Sequence, residues 1–166
     1  MKLNVNSLFA FTTLCCLAIS TQANTLEGEL NGEIRQWHIL ESGGNSTANY
    51  SSLGAGMQTL TIQGHAENRY AMQGTLSINL TVMNGNLLDD PEVSYFPESR
   101  MFPIYSSEDG STTLQNFTVQ QQGENIHVSG EVHGNLYRME GIGQATNYDD
   151  TMSITVRFDA ELKEEN

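Results

Sequence analysis

Met72-Gln73-Gly74-Thr75-Leu76-Ser77-Ile78-Asn79-Leu80-Thr81-Val82 alternates without a break. Met72, Gly74, Leu76, Ile78, Leu80 and Val82 fall on one side; Gln73, Thr75, Ser77, Asn79 and Thr81 fall on the other. A period of two belongs to a strand with one face in a core and the other in water. Two more runs repeat the pattern. Met152, Ile154, Val156, Phe158, Ala160 and Leu162 alternate with Ser153, Thr155, Arg157, Asp159 and Glu161. Ile126, Val128, Gly130, Val132, Gly134 and Leu136 are expected inward, with His127, Ser129, Glu131, His133, Asn135 and Tyr137 outward.

Shorter strands fit around these three. Residues 59–65 bury Leu60 and Ile62, and residues 114–122 carry Phe117 and Val119 between glutamines. Residues 33–41 place Trp37 and Ile39 on one face, and a bulge near Arg35-Gln36 is expected to bring Ile34 to the same side. Residues 46–52 form a further candidate strand. Asn84-Gly85, Glu108-Asp109-Gly110 and Gly123-Glu124-Asn125 supply turn chemistry between runs. Residues 42–58 and 140–151 read as long loops. The pattern predicts an all-β fold, an antiparallel β-sandwich of about 7–8 strands. A small up-and-down, calycin-like β-barrel is the alternative.

Gly28-Glu29-Leu30-Asn31-Gly32 echoes Gly130-Glu131-Val132-His133-Gly134. So short a match is better explained by two strands that each need glycine at a close backbone approach than by a duplication.

The chain has 166 residues, enough for one sizeable core. It carries 7 Lys+Arg against 20 Asp+Glu, a net charge of −13. That field repels nucleic acid and anionic lipid, so neither is expected as a partner.

Residues 1–23 have the pattern of a secretory signal. Lys2 gives a positive start, residues 8–19 are mostly apolar, and Thr21-Gln22-Ala23 offers small residues at a cleavage site. The apolar run is too short to span a bilayer as a helix. Residues 24–166 then form a single β domain, soluble and either periplasmic or secreted. Cys15 and Cys16 lie in the leader, so no disulfide is expected. Leu14 before Cys15 departs from the small residues a lipid-anchor site needs. The Asn-x-Ser/Thr triplets at Asn45, Asn49, Asn79 and Asn116 arise readily by chance in a chain this rich in those residues.

Candidate chemistry is sparse. Asp89, Asp90, Asp149 and Asp150 are hard oxygen ligands on predicted loops, the type Ca²⁺ takes, although their spacing is not that of an EF-hand. Glu131 and His133 share the outer side of one strand, roughly 7 Å apart, and two ligands of one Zn²⁺ can manage that. Completing a zinc site requires a neighbouring strand, with His38 or His65 as candidates. There is no Gly-x-Ser-x-Gly elbow and no phosphate-cradling glycine loop, so no enzyme activity is expected. Residues 93–105 gather Tyr95, Phe96, Phe102 and Tyr105 with Pro97 and Pro103. Proline excludes a central strand there, and the aromatics form a candidate docking lip for a protein or carbohydrate.

The reading that follows is an exported, non-catalytic β-sandwich acting as a binding or assembly module. Residues 25–34 alternate and are the candidate strand for donation to a neighbouring subunit. A small-ligand-binding β-barrel or a metal-dependent hydrolase is the alternative.

Overall fold

The computed structural model describes residues 24–165, and every regular element in it is a strand. The expected leader and both cysteines lie outside the described residues. Chain order runs β1 (Thr25–Leu30), β2 (Glu33–Trp37), β3 (Glu41–Ser42), β4 (Asn45–Ser46), β5 (Ala48–Gly54) and β6 (Met57–Gly64). It continues through β7 (Thr75–Met83), β8 (Asn86–Leu87), β9 (Glu92–Phe96) and β10 (Ile104–Ser106). The last three are the long ones: β11 (Thr112–Gln122), β12 (Asn125–Met139) and β13 (Asn147–Glu164). The count exceeds the expected 7–8 because several strands are two- or three-residue pieces that alternation cannot reveal.

β3 and β4 pair with each other, and the rest form one sheet in the order β11-β12-β10-β9-β7-β6-β5-β13-β1-β2, with β8 on β7. β12 also pairs with β13 from Ile126↔Leu162 to Arg138↔Asn147. The path from β12 through β10, β9, β7, β6 and β5 to β13 therefore returns to its start. The sheet is folded over and rejoins itself, which makes the body barrel-like as much as sandwich-like. Pairing is antiparallel throughout except where Lys163 and Glu164 run parallel to Asn49 and Tyr50.

The inward positions of the three diagnostic runs meet in one core. Leu76, Ile78, Val128, Val132, Val156 and Phe158 are completely buried. Apolar side chains alternate along β7, β12 and β13, so closing the sheet removes them from water together, at about 25 cal/mol per Å² of apolar surface. Gly28 and Gly134 sit at close crossings. A Cβ on Gly28 (φ 154°) would lie 2.2 Å from the Thr155 carbonyl oxygen, and one on Gly134 (φ 156°) 2.1 Å from that of Ser111. Close approach thus accounts for Gly28 and Gly134, and at Gly130 a Cβ would meet the Phe158 ring at 2.8 Å, whereas Gly32 has open space and a φ of 81° that suits a turn.

Five sequence expectations need correction. Ile34 stays outside, 90% exposed, because β1 and β2 pair in unbroken register and no bulge turns it inward. Met72 is 42% exposed, since β7 begins only at Thr75. His127 keeps the outer side of β12, opposite Ile126 and Val128, but is buried there rather than exposed, with Nε2 2.9 Å from Asp159 Oδ1. Residues 42–58 are mostly strand, and β13 begins at Asn147 within the second expected loop. The proposed donor segment is not spare: β1 pairs with β13 on one side and β2 on the other. Among the described residues no helix is long and apolar enough to cross a membrane.

Candidate functional site

One end of the body is closed by the connection between β6 and β7. Its backbone is pinned at four points: His38 and His65 exchange hydrogen bonds of 2.8 and 2.9 Å, Gly74 N donates to Phe96 O at 2.7 Å, and the Trp37 indole donates to Gly74 O at 2.9 Å. His65 is buried, with Nδ1 2.9 Å from Ala71 O. A carbonyl only accepts, so Nδ1 carries the proton. Thr75 donates its hydroxyl to the same carbonyl at 2.6 Å, and the Tyr70 ring meets the imidazole edge-on at 5.5 Å.

Outside this anchored turn lies an open pocket of about 600 Å³, walled by Arg35, Glu67, Arg69, Met72, Gln73 and Tyr95. Arg35 reaches in from β2. It donates to the Tyr95 hydroxyl at 2.7 Å and to Glu33 at 2.6 Å, and its guanidinium stands 5.6 Å from the Tyr95 ring centre. Burial opposes the Arg35 charge, but Glu33 and Tyr95 together outweigh it and hold its pKa above the ordinary arginine value. Arg69 is paired with Glu67 at 2.7 Å, which lowers the Glu67 pKa. A shallower groove sharing Gln73 and Ser99 continues to Arg100, paired with Glu98 at 2.6 Å.

Three Glu-x-Arg triplets therefore converge on one end: Glu33-Ile34-Arg35, Glu67-Asn68-Arg69 and Glu98-Ser99-Arg100. They contribute half of the cationic side chains among the described residues, the others being Arg138, Arg157 and Lys163. Sequence reasoning overlooked them. The repeated triplet was visible, but its convergence depends on pairing between segments 60 residues apart, as in the Arg35–Tyr95 bond.

No family model, curated protein or solved structure matches this chain. The sites rest on their own chemistry.

Of the aromatic candidates, Tyr95 contributes its hydroxyl to the pocket, and Tyr105 stands directly across from it on β10. Both are buried, and Phe96 and Phe102 are half-buried, so the four do not stand out as a lip. The Tyr105 hydroxyl donates to Asp150 Oδ1 at 2.9 Å, away from the pocket. Burial, then the Asp150 bond, pushes its pKa up against the opposing effect of Arg138.

The acidic candidates separate. Asp89 and Asp90 line a polar groove of about 660 Å³ with Glu92, Glu108 and Asp109, while Asp150 is engaged by Tyr105 and Arg138. Asp149 follows on β13 with its amide accepted by Asn147 Oδ1 at 3.1 Å. On the outer face of β12, Glu131 Oε1 lies 2.6 Å from His133 Nε2, an ion-pair distance without hydrogen-bond alignment. The other Glu131 oxygen is 3.5 Å from Arg157. His38 and His65 bridge β2 to β6 instead, three strands along the sheet from β12. Among the described residues, no group of three or more His, Cys, Asp or Glu is arranged to hold a metal ion.

The end pocket presents donors and acceptors side by side at fixed spacing. Each guanidinium is already balanced by a carboxylate, so the pocket favours neither a cation nor an anion. Thr75, the hydroxyl in contact with His65, is 1% exposed and is committed to Ala71 O, so it supplies no nucleophile.

Proposed function

We propose that the protein is an exported, non-catalytic binding module, periplasmic or secreted, whose ligand is a neutral polyhydroxylated molecule such as a short saccharide. The observation that carries this reading is the end pocket with its paired arginines and glutamates. A sugar diol donates and accepts at neighbouring oxygens, and a Glu–Arg pair offers the complementary acceptor and donor without demanding net charge. Gln73 and Ser99 extend the same polar row, hydrogen-bonded to each other at 3.3 Å. Met72 and Pro97 supply apolar wall for the C–H faces of a ring. Export rests on the leader pattern of residues 1–23.

The test is a glycan array followed by calorimetric titration of the best neutral oligosaccharide. Arg35→Ala and Arg69→Ala are each expected to weaken binding about 10- to 100-fold, the size of a lost charged hydrogen bond. The Arg69 side chain is 70% exposed, so its removal is expected to leave the melting temperature unchanged and to separate a binding loss from a folding loss. Absence of any saccharide binding, or affinity indifferent to both variants, overturns the reading.

A further inference from the structure

The end pocket adjoins two further depressions. On one side it shares Gln73 and Ser99 with the groove of Glu98 and Arg100, about 430 Å³ in volume. On the other it shares Arg35 with a depression of about 630 Å³ that lies over β1 on the outer face of the sheet. Arg35 is a wall common to two cavities, and Gln73 with Ser99 a wall common to the next two. The three form one path.

The depression over β1 has an ordered floor. Gln36 on β2 stands across from Glu27 on β1, Glu27 across from Arg157 on β13, and Arg157 across from Glu131 on β12. Amide, carboxylate, guanidinium and carboxylate follow one another over four strands, a row of roughly 14 Å at the ordinary inter-strand spacing. One sugar ring covers only part of such a row. Beside it on β2 is Ile34, 90% exposed and directly across from Glu29. At the other end of the path the Glu98–Arg100 pair, 2.6 Å apart, repeats the same chemistry.

Building on the saccharide reading of the end pocket, we infer that the ligand is a linear neutral oligosaccharide, and that Arg100, Arg35 and Arg157 mark three successive subsites along it. A chain of repeating units offers the same diols at every ring, and the path offers carboxylate acceptors beside guanidinium donors in every depression. Ile34 gives apolar contact to the C–H face of a ring where the chain passes from Arg35 onto the sheet. A monosaccharide fills the central pocket and leaves both flanks without a role. Chains of uronic acids are disfavoured, because the net charge of −13 repels them.

Calorimetric titration with a size ladder tests this, from monosaccharide to hexasaccharide of the neutral glycan that binds best on an array. Affinity is expected to rise at least about tenfold from disaccharide to hexasaccharide, because rings linked to a bound one meet the flanking subsites at high effective concentration. Arg100→Ala and Arg157→Ala each cut that gain about threefold, since each removes one end of the path. Both side chains are 70% exposed, so both variants are expected to keep the wild-type melting temperature. Arg35→Ala, at the centre, weakens disaccharide and hexasaccharide alike. Equal affinity along the ladder overturns the inference, and if Arg35→Ala still weakens binding the end-pocket reading stands without it. A gain that survives intact in either end variant overturns it as well. If no neutral glycan binds, both readings fall together.

Discussion

Gly28 and Gly134 show how a single missing Cβ positions whole strands. Each lies at positive φ, and each would drive a methyl group to within 2.2 Å of a neighbouring carbonyl oxygen. Gly134→Ala is expected to cost at least about 2 kcal/mol, from overpacking plus backbone strain. Gly123→Ala, at positive φ but with open space around it, should cost less, and urea titration of the two variants ranks them. The need for glycine inside an alternating run was legible in the sequence; the strand it makes room for was not, because alternation says nothing about neighbours. Buried tyrosines give a second prediction. Burial raises the pKa of Tyr50 above the ordinary tyrosine value, with Glu164 and Glu124 adding to it, and burial raises that of Tyr105 likewise. A raised acid pKa means the fold prefers the neutral phenol. Its contribution is complete below the unfolded value of about 10 and is lost as pH rises toward the folded value. Melting temperature should therefore fall above that pH, and Tyr50→Phe should flatten the fall while removing the hydroxyl's bond to Glu124 O. An unchanged alkaline limb in Tyr50→Phe would falsify this account.

At the scale of the element, β12 and β13 form the spine. β13 runs for 18 residues, well beyond an ordinary strand, and shares one edge between β1 and β5 while β12 occupies the other. Residues 154–159 thus have a hydrogen-bonded strand on both sides. Their amides are expected to exchange slowest in the molecule, close to the rate set by global unfolding, and mass-resolved exchange checks it. Faster exchange at Val156 than at β8, which pairs over two residues, would show that the spine opens before its flaps. The sequence announced β7, β12 and β13 through their period of two, since one face of each meets a continuous core. It concealed the short strands, which have too few residues to display a period, and it misplaced Ile34, where a hydrophobic residue was assumed to seek the interior. The candidate site was hidden for a related reason. Arg35 lies on a strand whose partner positions look unremarkable, and only sheet closure brings Tyr95 to it.

For the molecule as a whole the governing quantity is uncompensated negative charge. Every cationic side chain among the described residues already has a carboxylate: Arg35 with Glu33, Arg69 with Glu67, Arg100 with Glu98, Arg138 with Glu140, Arg157 with Glu131 and Lys163 with Glu41. The groove of Asp89, Asp90, Glu92, Glu108 and Asp109 is left with five acids and no Lys or Arg in its wall. Such charges repel one another across a few to about ten ångströms, a range over which salt matters, because the Debye length falls from about 30 Å at 0.01 M to about 8 Å at 0.15 M. Melting temperature should accordingly rise with NaCl over that interval. Asp109→Asn should raise it at low salt and make little difference at high salt, since it removes a repulsion that screening removes anyway. Divalent ions separate general screening from a built site. If the groove is only screened, Ca²⁺ and Mg²⁺ at matched ionic strength raise the midpoint equally. A larger shift with Ca²⁺ that Asp89→Asn abolishes would instead mean that the groove closes around the ion, a site separate from the end pocket.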